Sequence, residues 1–271
     1  MKSIGLIIIG DEILSGRRQD KHFSKVLEIL QQRGLALSWV QYLGDDRDRL
    51  TRLLKDSFNT DDLVFCCGGI GATPDDHTRQ AAGAALNQPL KLHPIARDRI
   101  TQRTIDMAEP GSEPVDMASP ENLQRLKMGE FPANAQIIEN PYNRIPGFKI
   151  GDHHFVPGFP VMAWPMIENV LDEHYSALHH QAVPTEISFF AVGLPESRIT
   201  PSLEKIERDF DGIRVFCLPS SNADPALRHL ELGVKGPADG VEAALTFLRQ
   251  AVSELGGEII PDPGSSVTSP D

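Results

Sequence analysis

The chain has 271 residues, with 26 Lys and Arg against 38 Asp and Glu, giving a net charge of −12 and a pI near 5.2. The length predicts roughly two domains, and a composition of 40% hydrophobic and 24% charged residues sets aside disorder as the main state. The acidic balance argues against a protein that coats nucleic-acid backbone, whose affinity comes from Lys and Arg neutralising phosphates; a small anionic ligand in one local pocket remains compatible with it.

Residues 4–9 form a continuous apolar run, the pattern of a strand buried on both faces. The run is too short for a secretory core and lacks a small-residue cleavage site, and nowhere do about 18 apolar residues follow one another. A cytoplasmic protein with no membrane contact is therefore expected. The cysteines, Cys66, Cys67 and Cys217, are too few for a disulfide scaffold and lack metal-binding spacing, which fits a reducing setting.

After Gly10 a helix is predicted over 19–33, with Phe23, Val26, Leu27 and Leu30 on one face and Gly34 as its C-cap. A strand over 35–43 and a helix over 46–58, carrying Leu50, Leu53, Leu54 and Phe58, lead to a third buried strand at 62–67. This β-α-β-α-β alternation predicts a parallel, doubly wound sheet. Helices are expected from Pro74 to about Leu86, over 94–108 and over 120–128, the last two flanking a Pro/Gly/Ser loop at 109–119. Short strands at 135–139 and 153–156 bracket a loop at 140–148, and a helix beginning at Pro160 reaches about His179. Around Pro184 the pattern changes to a strand (185–192), a helix (196–210), strands (213–218 and 228–234) and a helix (239–255). The expected organisation is an α/β domain over 1–183, a small α+β domain over 184–260 and a disordered tail over 261–271.

The strongest local signal follows the third strand: Gly68, Gly69, Ile70, Gly71, Ala72, Thr73, Pro74, Asp75, Asp76, His77 and Thr78. Glycines without Cβ let a ligand approach free backbone N–H groups, and such a turn at the C-terminal edge of a parallel sheet is where open α/β folds bind ligands. Thr73 is expected as N-cap, with Pro74 at the first helical position and Asp76 near the third. The pattern is neither a Rossmann fingerprint nor a Walker motif, since Pro74 replaces the third glycine and no Lys-Ser/Thr follows.

Asp75 and Asp76 would repel a phosphate at the same helix end unless a divalent cation such as Mg²⁺ bridged them. A metal–phosphate site and a well-capped turn without ligand both fit these residues. Gly10, Asp11 and Glu12 leave the first strand at the same sheet edge, and Asp45 and Asp46 leave the second, so acidic residues from three strand ends are expected to converge there. Arg17, Arg18 and Lys21 are the nearby cations. Asp152, His153 and His154 are read as a turn, His179 and His180 as a helix end, Cys66 and Cys67 as packing, and Gly233, Val234, Lys235 and Gly236 as a turn after a strand.

On the Gly-Asp-Glu at 10–12, the Gly-Asp-Asp at 44–46 and the glycine motif at 68–78, the chain resembles the MoaB/Mog molybdopterin-binding domain family. It is most similar to the N-terminal region of the competence/damage-inducible protein CinA. Asn140, Pro146, Gly147 and Phe148, and then Pro157, Gly158, Phe159, Pro160 and Met166, resemble later loops of that subgroup, and 185–260 resembles its small KH-like domain. The resemblance implies a three-layer α/β/α fold with a mostly parallel sheet and a phosphorylated pterin or nucleotide bound at this sheet edge, without amidase activity. It also implies a homo-oligomer, and metal-dependent hydrolysis of a pyrophosphate such as ADP-ribose or FAD. The alternatives are a non-catalytic pterin or nucleotide carrier and, less favoured, adenylyl transfer to molybdopterin.

In the hydrolase reading Asp75 and Asp76 are the catalytic pair, and the metal is held by Asp11, Glu12, Asp75 and Asp76. The ligand meets Gly10, Asp46, Gly68, Gly69, Gly71, Thr73 and Thr78. The chain departs from the family pattern at His22 (usually Asn), Met128 (Gln), Asn143-Arg144 (Gly-Thr) and Val161-Met162-Ala163 (Ser-Glu-Met), the last removing a ligand carboxylate.

Overall fold

The first apolar run becomes strand β1 (Ile4–Ile9), every residue of it buried. Its side chains alternate between two cores, as the period of two requires. Ile4, Leu6 and Ile8 join one cluster, and Ile7 and Ile9 another on the opposite face. Strand β3 (Leu63–Cys67) divides in the same way, Leu63, Phe65 and Cys67 going to the first core and Val64 and Cys66 to the second. A sheet with an apolar layer on each side needs helices on both, and this makes the fold a three-layer α/β/α sandwich. The computed structural model describes residues 2–109, 113–181, 185–220 and 228–263.

The chain divides into two compact units, Met1–Gln181 and Ala182–Asp271. In the first, β1 is followed by the short helix α1 (Asp11–Leu14), helix α2 (His22–Gln32) and strand β2 (Trp39–Leu43). Helix α3 (Arg47–Ser57) then precedes β3, after which come α4 (Thr78–Ala85), β4 (Leu90–Leu92), α5 (Pro94–Asp106) and α6 (Pro120–Leu126). One 3₁₀ turn (Lys127–Gly129) leads to β5 (Glu130–Pro132), β6 (Gln136–Ile138), β7 (Gly147–Ile150), β8 (His153–Val156) and α7 (Pro160–His174).

The described strands of the main sheet run β2-β1-β3-β8-β7-β6. The first four are mutually parallel, and β7 and β6 add antiparallel pairings at one edge. Strands β4 and β5 form a separate antiparallel ladder. A ring stack joins that ladder to the main sheet: Phe131 of β5 lies 4.7 Å from Phe148 of β7, which lies 4.4 Å from Phe155 of β8.

The second unit holds β9 (Thr185–Val192), α8 (Glu196–Asp209), β10 (Arg214–Pro219), β11 (Leu230–Gly236), α9 (Ala238–Glu254) and β12 (Glu258–Ile260). Its described strands form an antiparallel sheet in the order β10-β11-β9-β12. Phe189 and Ala191 of β9 and Leu232 and Val234 of β11 pack with Ile199, Leu203 and Ile206 of α8 and Val241, Leu245 and Leu248 of α9.

Several expectations are corrected. Pro74 does not start a helix: α4 begins at Thr78, and Asp76 instead closes an isolated turn by accepting from the Thr73 amide (2.9 Å) and hydroxyl (2.5 Å). The helix expected over 19–33 starts only at His22, and Ile29 rather than Leu27 completes its buried face, Leu27 being exposed. The helix from Pro160 ends at His174, before a 3₁₀ turn at Ser176–Leu178, and the loop expected at 140–148 ends in β7.

The segment from Gly233 to Gly236 is part of β11 and not a turn; a Cβ on Gly233 would sit 2.1 Å from the Phe216 ring, so the glycine makes room for that ring. His153 and His154 lie buried within β8 instead of in a turn. Strands β4, β5, β7 and β12 are additions to the expected set. Of the tail expected to be disordered, 264–271 lies outside the described residues. Among the described residues no helix is long and apolar enough to cross a membrane.

Candidate ligand-binding site

Because β2, β1 and β3 are parallel neighbours, the loops at their C-terminal ends share one edge of the sheet. A cleft of about 540 Å³ opens there, within the range of small-molecule sites. One wall is the glycine turn. Gly68 (φ 113°) and Gly69 (φ 66°) have backbone conformations that favour glycine, and a Cβ on Gly69 would meet Thr78 Oγ1 at 2.3 Å. Thr78, fully buried, braces the turn from beneath: its amide donates to the Gly69 carbonyl (3.0 Å) and its hydroxyl to the Gly68 carbonyl (2.9 Å). Among the described residues the amides of Gly69, Ile70, Gly71 and Ala72 have no hydrogen-bond partner, although all four residues line the cleft. Consecutive free N–H groups of this kind form an anion-binding concavity.

The acidic side of the cleft carries Glu12, Asp45, Asp75 and Asp76, with Arg18 as its lining cation. Asp45 is pushed above the usual carboxylate range, first by burial and then by the charges of Asp11, Glu12 and Asp75, against the lowering effect of the Asp11 amide. The remaining wall is largely apolar and includes Met128, Ile145, Pro146, Phe159 and Met162. Its loop is built around Asn140, which is 2% exposed and donates to Asn143 Oδ1 (2.8 Å) and the Ile145 carbonyl (2.9 Å). Asn143 in turn donates to the Met162 sulfur at 3.3 Å. His22 is buried beside this wall, and its Nε2–H donates to the Gly158 carbonyl at 3.0 Å.

Of the site residues expected from the sequence, Gly10, Glu12, Gly68, Gly69, Gly71, Thr73, Asp75 and Asp76 all line the cleft. Three do not. Asp46 is the N-cap of α3, accepting from the amides of Asp48 (3.0 Å) and Arg49 (2.9 Å), while its neighbour Asp45 faces the cleft. Thr78 is the brace just described. Asp11 exchanges backbone bonds with Asp45 and borders a separate hollow with Ser15 and Arg17. Lys21 lines an adjoining hollow of about 310 Å³ with Gln19, His22 and Pro160. Asn140, Ile145 and Phe159 are lining residues for which the sequence offered a family likeness at most and no local chemical signal.

The carboxylates do not assemble into a ligand set for a resident cation. Asp76 is engaged by Thr73, Asp11 and Asp45 by each other's amides, and among the described residues no group of three or more His, Cys, Asp or Glu is placed to hold a metal ion.

Comparison with known proteins gives a consistent answer. Residues 5–180 match the family model described as "Probable molybdopterin binding domain". A CinA-like protein of Desulforapulum autotrophicum is 30% identical over 84% of this chain and 53% of its own length. A putative competence-damage inducible protein of Clostridium botulinum is 26% identical over 74% of this chain and 47% of its own. The chain thus spans about half the length of these curated relatives. A shorter relative, protein Ta0487 of Thermoplasma acidophilum, is 24% identical over 94% of this chain and 95% of its own length. Among solved structures, that of the protein CinA with unknown function from Thermoplasma acidophilum superposes with a TM-score of 0.53 at 26% identity, covering 64% of this chain and 97% of that one. The match spans the whole α/β/α unit with its glycine-turn edge, and the chain, similar to CinA-like proteins, belongs to the molybdopterin-binding domain family.

Proposed function

We propose that the cleft binds a phosphorylated pterin, and that the chain acts as a binding or carrier module in molybdenum cofactor metabolism. One observation carries the reading: four amides without a partner among the described residues, a row of carboxylates and an apolar wall meet in a single cleft. Each matches one part of such a ligand. Phosphate oxygens accept from consecutive amides. The 2-amino-4-oxo edge of a pterin presents adjacent N–H donors, which a carboxylate accepts in bidentate fashion and which a lining of cations would refuse. The ring faces are apolar enough to lie against Met128, Phe159 and Met162.

Metal-dependent pyrophosphate hydrolysis is the reading that the family likeness first implies, with ADP-ribose or FAD as substrate. The donor set does not fit a cation: Asp45 and Asp76 are engaged by backbone and hydroxyl groups, and among the described residues no group of three or more His, Cys, Asp or Glu is placed to hold one, so no hydrolytic step is derived through it.

The test is titration of the full chain with a pterin bearing a phosphate ester, with ADP-ribose and with FAD, each in Mg²⁺ and in chelator, followed by chromatography for products. The expected result is saturable binding of the phosphorylated pterin, equal in both buffers, with no product from any compound. Release of AMP from ADP-ribose or FAD only when the cation is present would replace the carrier by a pyrophosphatase.

A further inference from the structure

Two side chains that do not line the cleft hold the glycine turn. Arg79, on α4, is 2% exposed. Its Nη2 donates to the Gly71 carbonyl at 2.5 Å, and its Nη1 donates to the carbonyls of Lys127 and Glu130, the latter at 3.3 Å. Among the described residues it forms no ion pair, so a buried cation is held by three backbone oxygens through Nη1 and Nη2, while its buried Nε has no hydrogen-bond partner among them. Gln124, on α6, donates to the next carbonyl of the turn, that of Ala72, at 2.6 Å.

The bond from Arg79 decides which amide faces the ligand, and the bond from Gln124 steadies the next peptide. The described peptides are all trans, and in a trans peptide the C=O and the following N–H point in opposite directions. Drawing the Gly71 carbonyl toward Arg79 therefore turns the Ala72 N–H away from Arg79, toward the cleft that Ala72 lines. That amide has no partner among the described residues, whereas the Thr73 amide of the next peptide is taken by Asp76. The same guanidinium ties down Lys127 and Glu130, which flank the cleft-lining stretch at Met128. A planar fork with several fixed donors reaches two chain segments at once; a Lys ammonium is a single point.

We propose that Arg79 is a positioning residue for the phosphate of the ligand, with Gln124 as its lesser partner. It aims the Ala72 N–H into the cleft and joins the glycine turn and the Met128 segment to one support. Its charge also lies behind amides that must face an anion in a lining that carries Glu12, Asp45, Asp75 and Asp76. The proposal rests on reading the cleft as a phosphorylated-pterin site.

The experiment titrates the full chain and its Arg79→Lys and Gln124→Ala variants with two probes, a pterin carrying a phosphate ester and the same pterin without it. Arg79→Lys is expected to weaken the phosphorylated probe by about tenfold or more and the bare pterin by less than about threefold. Gln124→Ala, at an exposed position, is expected to weaken the phosphorylated probe selectively, by about threefold. Equal losses for both probes would overturn the proposal and leave Arg79 a support of the fold alone. If Arg79→Lys does not fold, the Gln124→Ala variant decides, and an equal effect on the two probes again overturns it. A wild-type chain that binds neither probe overturns the reading of the cleft itself, and this outcome is distinct from any variant effect.

Discussion

The amide of Asp11 donates to Asp45 Oδ2 at 2.9 Å, and the amide of Asp45 donates back to Asp11 Oδ1 at 3.2 Å. This reciprocal pair latches the start of α1 to the loop after β2 and places two carboxylates side by side, of which Asp45 lines the cleft. The latch is a compromise: each carboxylate gains an N–H donor, and each feels the other's charge.

Asp45→Asn tests that compromise. Asp45 has a raised pKa, so its charged form is disfavoured by the fold, and the associated stability is present below the unfolded value and lost as pH rises. An Asn keeps an oxygen for the Asp11 amide and removes the repulsion. At neutral pH the variant is expected to melt at the same temperature as the wild type or slightly above it, while binding of a phosphorylated pterin drops by about tenfold through loss of a charged acceptor. Calorimetry and a thermal scan read the two effects separately. A lower Tm with unchanged affinity would mean that the carboxylate serves the loops and not the ligand.

Asp46→Ala separates two adjacent acidic residues. Asp46 caps α3 outside the cleft, so its loss is expected to lower Tm by a few degrees and leave ligand affinity unaltered. A large loss of affinity with intact stability would return Asp46 to the binding site.

Gly69→Ala and Gly71→Ala differ in severity. At Gly69 an added Cβ meets the buried Thr78 hydroxyl on a backbone with φ of 66°, and the expected cost is about 1–3 kcal/mol with loss of ligand binding. At Gly71 the obstacle is Asp76 Oδ2, at 2.4 Å, the end of a side chain that can swing away, so denaturant unfolding should show a smaller loss. The reverse ranking would mean that the Thr73–Asp76 turn, rather than the Thr78 brace, sets the shape of the site.

The opposite edge of the sheet predicts an acid response. His153 shares a 2.7 Å hydrogen bond with Ser57, and burial pushes its pKa down to about 4; burial likewise pushes that of His154 down to about 3. Both rings are neutral in the fold and protonate more readily in the unfolded chain. The stability they give is complete above an unfolded value near 6.5 and is lost as pH falls toward their folded values. A series of thermal scans should show Tm falling as pH decreases from about 6.5 to about 4. His154→Phe, which fills the space beside Phe65 without a titrating group, is expected to flatten that slope. An unchanged slope would shift the acid response to the carboxylates.

Much of the three-layer unit is legible in the sequence because β1 and β3 are apolar without interruption, which only a strand covered on both faces permits. The glycine turn is legible for the same local reason. Thr73 and Pro74 mislead because Thr-Pro matches a helix start, yet the Asp76 carboxylate captures the Thr73 amide and hydroxyl, and the helix waits until Thr78. Asp45 and Asp46 are equivalent as letters; only the direction in which α3 leaves decides which caps and which faces the cleft. Arg79 and Gln124 give no signal, since their partners are carbonyls, several of them 48–52 residues away in the chain. Strands such as β7 and β12, four and three residues long, are too short to show a period.

The Phe131–Phe148–Phe155 stack has a consequence for how the first unit opens. The β4–β5 ladder pairs only three residues on each side, and a ribbon of that size is marginal in water by itself. Its central ring, Phe131, is clamped against a sheet with which the ladder shares no backbone bond. The ladder is therefore expected to exchange its amide hydrogens for deuterium on the slow schedule of the main sheet, as one cooperative unit, rather than to fray like an isolated hairpin.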